Sequence, residues 1–543
     1  MTSEILCIRG IMKNNEQVYF GGDIYTVDEN KPAVRAIAVK NGLIVAVGTK
    51  EHCLDNLGDS PQLIDLEGAC LMPGFIDTHI HPTLMIFFEL NIDLSSVKSM
   101  GQLKLILSDK AKGTTNNDWI MGLNFDEQNF TELLLPTRFD LDKASTNVPI
   151  IIVRKDGHSM IANTLAMTMA NITDDTADPC GGVIERDEKG KATGVFRETA
   201  VSLLLKVLPL PDPTSIMQAG MSVFKHIISQ GVTSIGMILQ TDGEGVAGFQ
   251  GAYDVPLMQE LAPHIPINLY SLLVCKDAQI IKEIKTSSLH QQSASVSHKV
   301  GGMKFWADGT FSSCTACMIT PFTDVPDSKG FLIHTHEDMY ERMIKAHKAG
   351  AQIAIHSIGD ECARVCVDLF DKLLREYPRK SHRHRLEHAS LLNPEIIQDI
   401  ARLKLVISTQ PLFIKAEKKW LQQRLGAYRT QWTYAFKALL EAGIKVAGAS
   451  DAPAEDVNIL QAIQYCVTRD GFEPQQCINA AQAVKMFTLD AAYAQFEENE
   501  KGSLTVGKRA DMVILTDNPT TIDINEIAGI KVLQTIVSGQ NLL

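Results

Sequence analysis

The stretch Pro73-Gly74-Phe75-Ile76-Asp77-Thr78-His79-Ile80-His81 decides how the rest of the chain is read. It starts as an apolar run and closes on two histidines two residues apart. Side chains alternate across a strand, so His79 and His81 point to the same side, and two imidazoles at that spacing can bind one divalent ion. The pair alone is a weak signal, because His334-x-His336 beside a turn and His382-x-His384 in a basic run share its spacing. Three residues further along the chain give it weight. His356 closes Ile-Ala-Ile-His, His388 closes Arg-Leu-Glu-His, and Asp451 comes after Gly-Ala-Ser, each directly after a separate short apolar segment. Lys304 stands inside the otherwise apolar run 302–306.

Those segments belong to a series of eight predicted strands, at 71–76, 232–235, 267–274, 300–305, 352–355, 384–386, 405–408 and 445–448. Helical patterns at 337–349, 362–377 and 434–442 fill several of the gaps. Alternation of this kind predicts βα units and a parallel sheet, and eight units is the count of a TIM-type (β/α)8 barrel, whose C-terminal strand ends converge on one mouth. The gap between the first and second strands is far longer than a crossover needs, so it holds an insertion. Both ends of the chain are β-rich: 18–27 and 36–47, with Asn41-Gly42 as a hairpin signal, and 510–515 and 530–537. The expected fold class is therefore α/β. It comprises a composite β-sandwich from 1–70 and 503–543, a barrel from 71–82 and 226–502, and an inserted subdomain or lid at 83–225.

The chain has 543 residues, 45% hydrophobic and 21% charged, so it has ample material for a core. Its 51 Lys and Arg against 64 Asp and Glu give a net charge of −13, the wrong sign for nucleic acid or an anionic membrane surface. The N-terminus lacks the basic and apolar regions of a secretory signal, and no apolar run is long enough to span a bilayer. Eleven cysteines at irregular spacing fit reduced thiols in the cytoplasm. Cys314-x-x-Cys317 and Cys362-x-x-x-Cys366 are not matched zinc half-sites and read as core or surface thiols. Nitrogen and oxygen donors at the mouth suit Zn²⁺ and similar ions better than Ca²⁺ or Mg²⁺.

With these motifs in order, the chain resembles the amidohydrolase superfamily, and within it the YtcJ-like branch (amidohydrolase family 3). Further stretches carry the likeness: Asp156-Gly157-His158-Ser159, Gly194 to Glu198, Lys304 to Gly309, His356 to Asp360, Arg385 to Ala389, Ser408 to Pro411, Arg424-Leu425-Gly426, Ser450 to Pro453 and Gly507 to Asp511. The resemblance implies a metal-dependent hydrolase, an elliptical barrel with a flanking β-sandwich, and a homodimer. It also implies that Lys304 is carboxylated on its amine and bridges a second metal. One departure is visible, Cys314 where the branch commonly has Arg: either the substrate is neutral or differently charged, or the turn merely tolerates variation.

The candidate metal ligands are then His79, His81, Lys304, His356, His388 and Asp451, for one or two ions, with Zn²⁺ favoured and N6-carboxylated Lys304 among them. Asp451 is also the candidate general base. Asp156 and His158, reaching over the mouth, and Trp306, Asp308 and Cys314 are candidate substrate contacts. Glu387 and Asp360 are placed to orient the imidazoles, and Asp308 is an alternative partner for Lys304. The expected reaction is hydrolysis of a non-peptide carbon–nitrogen bond in a small molecule, such as an N-substituted amide, formamide or cyclic amide. Ester or lactone hydrolysis on the same site and a non-catalytic scaffold or regulatory barrel are the alternatives.

Overall fold

The computed structural model describes residues 16–543 except 115–117, 128–129, 131–134, 155–158, 180–181, 199, 210–211, 242–247 and 294. Eight parallel strands form one sheet in chain order: β1 (Phe75–Ile80), β2 (Val232–Gln240), β3 (Asn268–Val274), β4 (His298–Trp306), β5 (Gln352–Ser357), β6 (Arg385–His388), β7 (Val406–Thr409) and β8 (Val446–Gly448). The first and last strands approach each other, since Thr78 Oγ1 donates to the Gly448 carbonyl at 3.0 Å and the Asp451 N–H to the His79 carbonyl at 2.8 Å. The sheet is thus a nearly closed (β/α)8 barrel.

Strands buried on both faces need continuous apolar sequence, and β2, β3, β5 and β7 are buried at every residue. Helices cover them: α1 (Asp254–Leu261), α2 (Gln279–Ile284), α3 (His336–Lys348), α4 (Asp360–Glu376), α5 (Pro394–Leu403), α6 (Phe413–Glu417), α7 (Leu421–Leu425) and α8 (Phe436–Glu441). In α4 the residues Cys362, Cys366, Phe370 and Leu373 recur at helical spacing and are buried as one stripe. Asn393 caps α5 by accepting from the Ile396 N–H, with Pro394 at the first helical position.

The run expected as one strand at 71–76 is divided. Cys70–Pro73 pairs with Met512–Leu515 in another sheet, and the barrel strand starts at Phe75. Gly74 is the crossing point, where its N–H donates to the Asp511 carbonyl at 2.9 Å and any Cβ would run into the Thr233 side chain. Two ends of the chain meet in that second, eight-stranded sheet, through Glu16–Tyr25, Ala33–Lys40, Leu43–Gly48 and Cys70–Pro73 on one side and Met512–Leu515 and Val532–Val537 on the other. Its Asn41-Gly42 hairpin has both turn residues at positive φ, 51° and 78°, as a type I′ turn requires. Residues 84–223 form a separate compact unit with a six-stranded sheet. Within it Leu103, Leu107, Ile120, Phe125, Ile150 and Ile152 share one core. Among the described residues no helix is long and apolar enough to cross a membrane.

Candidate metal centre

Parallel register carries the strand-end residues to one level. Trp306 on β4 lies beside His356 on β5, and Ser357 beside His388 on β6. On β1, His79 is fully buried and His81, two residues on, keeps a partly open side chain. Asp451 comes after β8 with φ +60°, and His388 and Ala389 close β6 at +69° and +46°. Three non-glycine residues in the left-handed region at one mouth are a concentration of backbone strain of the kind found at functional sites.

Donor atoms of His79, His81 and Asp451 lie within 4.8 Å of one another. Asp451 Oδ1 is 3.3 Å from His79 Nε2 and 3.1 Å from His81 Nε2. The His79 Nδ1–H donates to Glu387 Oε2 at 2.6 Å, which leaves the Nε2 lone pair facing Asp451. Burial, and then the Lys304 ammonium, hold the His79 imidazole neutral, well below its ordinary range. For Asp451 burial works against the charged form, but the hydrogen bond with His81 and the histidines grouped around it together outweigh burial and hold the carboxyl below its ordinary range. A neutral His79 imidazole and an ionised Asp451 carboxylate are the protonation states that metal ligands require, and with His81 they form a nitrogen–oxygen donor trio that fits a divalent ion of the first-row type.

The other predicted residues are distributed around this trio. Lys304, 1% exposed, places Nζ 3.4 Å from His79 Nε2 and 4.7 Å from the centre of the Trp306 ring. Burial pushes its ammonium down to about 8, against the pull of Glu387 and Asp451. The His388 Nδ1–H donates to Gln410 Oε1 at 2.8 Å, and its ring stands 5.0 Å from His79 and parallel to Phe413 at 6.1 Å. His356 lies 4.5 Å from the His388 ring, but its Nε2–H donates to the Gly309 carbonyl at 3.0 Å, so it borders the trio without joining it.

Asp308 is not the partner of Lys304. Its carboxylate accepts the backbone N–H groups of Ile358, Gly359 and Cys317 at 3.0, 2.9 and 2.9 Å, bracing the β4 loop against the β5 loop. Burial raises its carboxyl to about 7 despite these donors. Asp360 likewise turns to backbone, accepting from Ile319 N–H at 2.9 Å at the start of α4, while Glu387 alone of the two orients an imidazole. Trp306 packs beside Ile238, Tyr270, Leu272 and Val274, and Phe311 is wholly in the core. Cys314, at φ +58°, accepts from Arg424 Nη1 at 2.6 Å, and the same guanidinium grips the Phe311 carbonyl and Asp324, clasping the β4 loop to α7. Asp156 and His158 lie outside the described residues.

Three supporting residues received no role from the sequence: Arg385, Gln410 and Phe413. Arg385 had a signal, since a charged pair at 385 and 387 puts Arg and Glu on one face of a strand that is buried throughout. Gln410 comes directly after β7, the strand-end position shared by the histidines. Phe413 had none.

The amidohydrolase family model matches residues 62–542. The chain belongs to the amidohydrolase family. A Bacillus subtilis (strain 168) protein, YtcJ, is 29% identical to this amidohydrolase over 96% of its chain and 98% of the relative. An N-substituted formamide deformylase of Arthrobacter pascens is 24% identical over 95% of this chain and 96% of its own. Among solved structures, an uncharacterised metal-dependent hydrolase from Pyrococcus furiosus superposes with a TM-score of 0.74 at 25% identity, covering 93% of this chain and all of that one. The amidohydrolase is thus a metal-dependent hydrolase by family, with a His-His-Asp candidate metal site.

Proposed function

We propose that this protein hydrolyses a non-peptide carbon–nitrogen bond in a small molecule, an N-substituted amide, formamide or cyclic amide, using Zn²⁺ or a similar divalent ion. The observation that carries the proposal is the ionised Asp451 carboxylate set between the imidazole rings of His79 and His81, 3.3 and 3.1 Å from their Nε2 atoms. The full-length similarity to a formamide deformylase supports the choice of bond. His79, His81 and Asp451 would hold the ion, with His388 and Lys304 beside them and His356 at the border of the set. When bound, the ion acidifies water and polarises the substrate carbonyl.

Asp451 is the base: its carboxylate takes a proton from the water that attacks the carbonyl carbon, and returns it to the nitrogen as the C–N bond breaks. Trp306 gives the substrate an apolar wall beside Lys304. Lys304 is carboxylated in this reading. Its seclusion lowers the ammonium to about 8, which raises the fraction of unprotonated amine that can react with CO₂.

Metal analysis of protein purified without added metal, then assay of N-formyl, N-acyl and cyclic amide substrates with and without Zn²⁺ or Mn²⁺, tests the proposal. Metal-dependent release of an amine, lost in His79→Ala and lowered by about 10²–10⁴-fold in Asp451→Asn, is expected. Failure to retain metal, with no hydrolysis gained on reconstitution, would sink it. Hydrolysis confined to esters or lactones would reassign the bond.

A further inference from the structure

One ion pair beneath the mouth has no part in the chemistry above. Arg385 and Glu387 are two residues apart on β6, so the strand sends both side chains to the same side, and neither has any exposed surface. Arg385 Nε donates to Glu387 Oε1 at 2.6 Å and Nη2 to Oε2 at 2.9 Å, a two-pronged grip. The same Nη2 donates to the Thr78 carbonyl at 2.9 Å, the peptide immediately before His79. Glu387 Oε2 accepts the His79 Nδ1–H. A single guanidinium therefore holds both the backbone that carries His79 and the carboxylate that holds its ring. A pair this deeply desolvated is a poor source of stability, since an apolar pair of the same volume is often no worse. What it does secure is geometry. The His388 ring, by contrast, has a neutral amide, that of Gln410, as its hydrogen-bond partner.

We propose that Arg385 and Glu387 are positioning residues that fix the tautomer and plane of His79 and thereby set the affinity of the mouth for its divalent ion. Glu387 keeps the ring hydrogen on Nδ1 and strengthens Nε2 as a donor. Arg385 keeps Glu387 from turning away. The inference rests on the metal-dependent reading of the same site, and metal binding, not turnover, is the quantity that tests it.

Metal-free protein is titrated with Zn²⁺ against a chromophoric chelator, and the visible spectrum of the Co²⁺ form is recorded, for wild type, Glu387→Gln, Glu387→Asp, Arg385→Lys and the uncharged double variant Arg385→Met/Glu387→Gln. Glu387→Gln should weaken Zn²⁺ binding by about 10–100-fold and shift the Co²⁺ bands. Glu387→Asp should recover part of the loss, and Arg385→Lys should fall between wild type and Glu387→Gln. The double variant leaves no unpaired buried charge, so it folds where a single one fails, and should match Glu387→Gln instead of adding to it. Glu387→Gln or the double variant binding Zn²⁺ within twofold of wild type, with unchanged Co²⁺ bands, would overturn the inference alone. Wild type that binds neither ion would overturn the metal-dependent reading and the inference with it.

Discussion

His79-x-His81 and His382-x-His384 have the same spacing and opposite fates. The first pair ends β1 at the mouth, with Nε2 atoms converging on Asp451. The second precedes β6, at the other end of the barrel from His388 four residues later. There every ring nitrogen is spent. His384 Nδ1 accepts the Ile353 N–H at 3.0 Å, and its Nε2–H donates to His347 Nδ1 at 2.9 Å, whose Nε2–H passes on to the Tyr377 carbonyl. His382 Nδ1 accepts the His384 N–H and its Nε2–H donates to the Leu403 carbonyl, both at 3.0 Å. A buried histidine becomes a ligand only where the fold leaves a nitrogen lone pair without a donor. Strand direction decides which end that is.

Breaking the mouth pair should cost reaction rate and leave stability nearly intact. Asp451→Asn keeps the shape and removes the base, so kcat/KM should fall by about 10²–10⁴-fold with little change in the unfolding midpoint. Steady-state kinetics and denaturant unfolding on the same preparation separate the two effects. An equal loss of folding would place Asp451 with the structural histidines instead.

Breaking the pair at the far end of the barrel should do the reverse. His384→Ala deletes a buried ring stacked on Phe370 at 5.4 Å and strips partners from Ile353 and His347. Unfolding free energy should drop by about 3–5 kcal/mol while the metal content per folded molecule stays at the wild-type value. Metal loss without destabilisation would show that the assignment of the two pairs is inverted.

Acid provides a milder version of the same test. Burial lowers His382 from its ordinary 6.5 to about 4, so the folded state keeps it neutral while the unfolded chain takes up a proton. Stability is therefore fully present above pH 6.5 and is lost as pH falls towards 4, by about 3 kcal/mol from this residue. His382→Gln should flatten that part of the stability curve, measured by guanidinium unfolding between pH 4 and 7. An unchanged slope would mean that His382 is already charged in the fold.

The strand ends were legible because a parallel barrel writes each strand as a short apolar run and puts its chemistry on the next residue, as at His356, His388 and Asp451. The pairing behind them was not. Glu387 meets His79 across 308 positions and Arg424 meets Cys314 across 110, and no local period encodes such contacts. Gly74 shows the same limit within one motif. A continuous apolar run at 71–76 reads as one strand, and only the presence of Asp511 and Thr233 on either side makes it the boundary between two sheets. Asp308 and Asp360 were legible as acids near histidines, but backbone N–H groups at the β4 and β5 loops claim them first.

The third pair, His334-x-His336, sets the floor of the comparison. His334 Nδ1 lies 3.1 Å from Asp338 one turn ahead, and His336 is the first residue of α3, whose cap is Thr335. The Asp338 side chain is 42% exposed, so water and salt screen the pair, and Asp338 also accepts from Arg342 at 3.0 Å. Removing the imidazole therefore leaves the carboxylate with a partner. His334→Ala should change the unfolding free energy by less than about 0.5 kcal/mol and leave Zn²⁺ affinity untouched. A larger stability loss that disappears in high salt would reveal a network among His334, Asp338 and Arg342 stronger than its exposure allows. A loss of metal would place a ligand on α3.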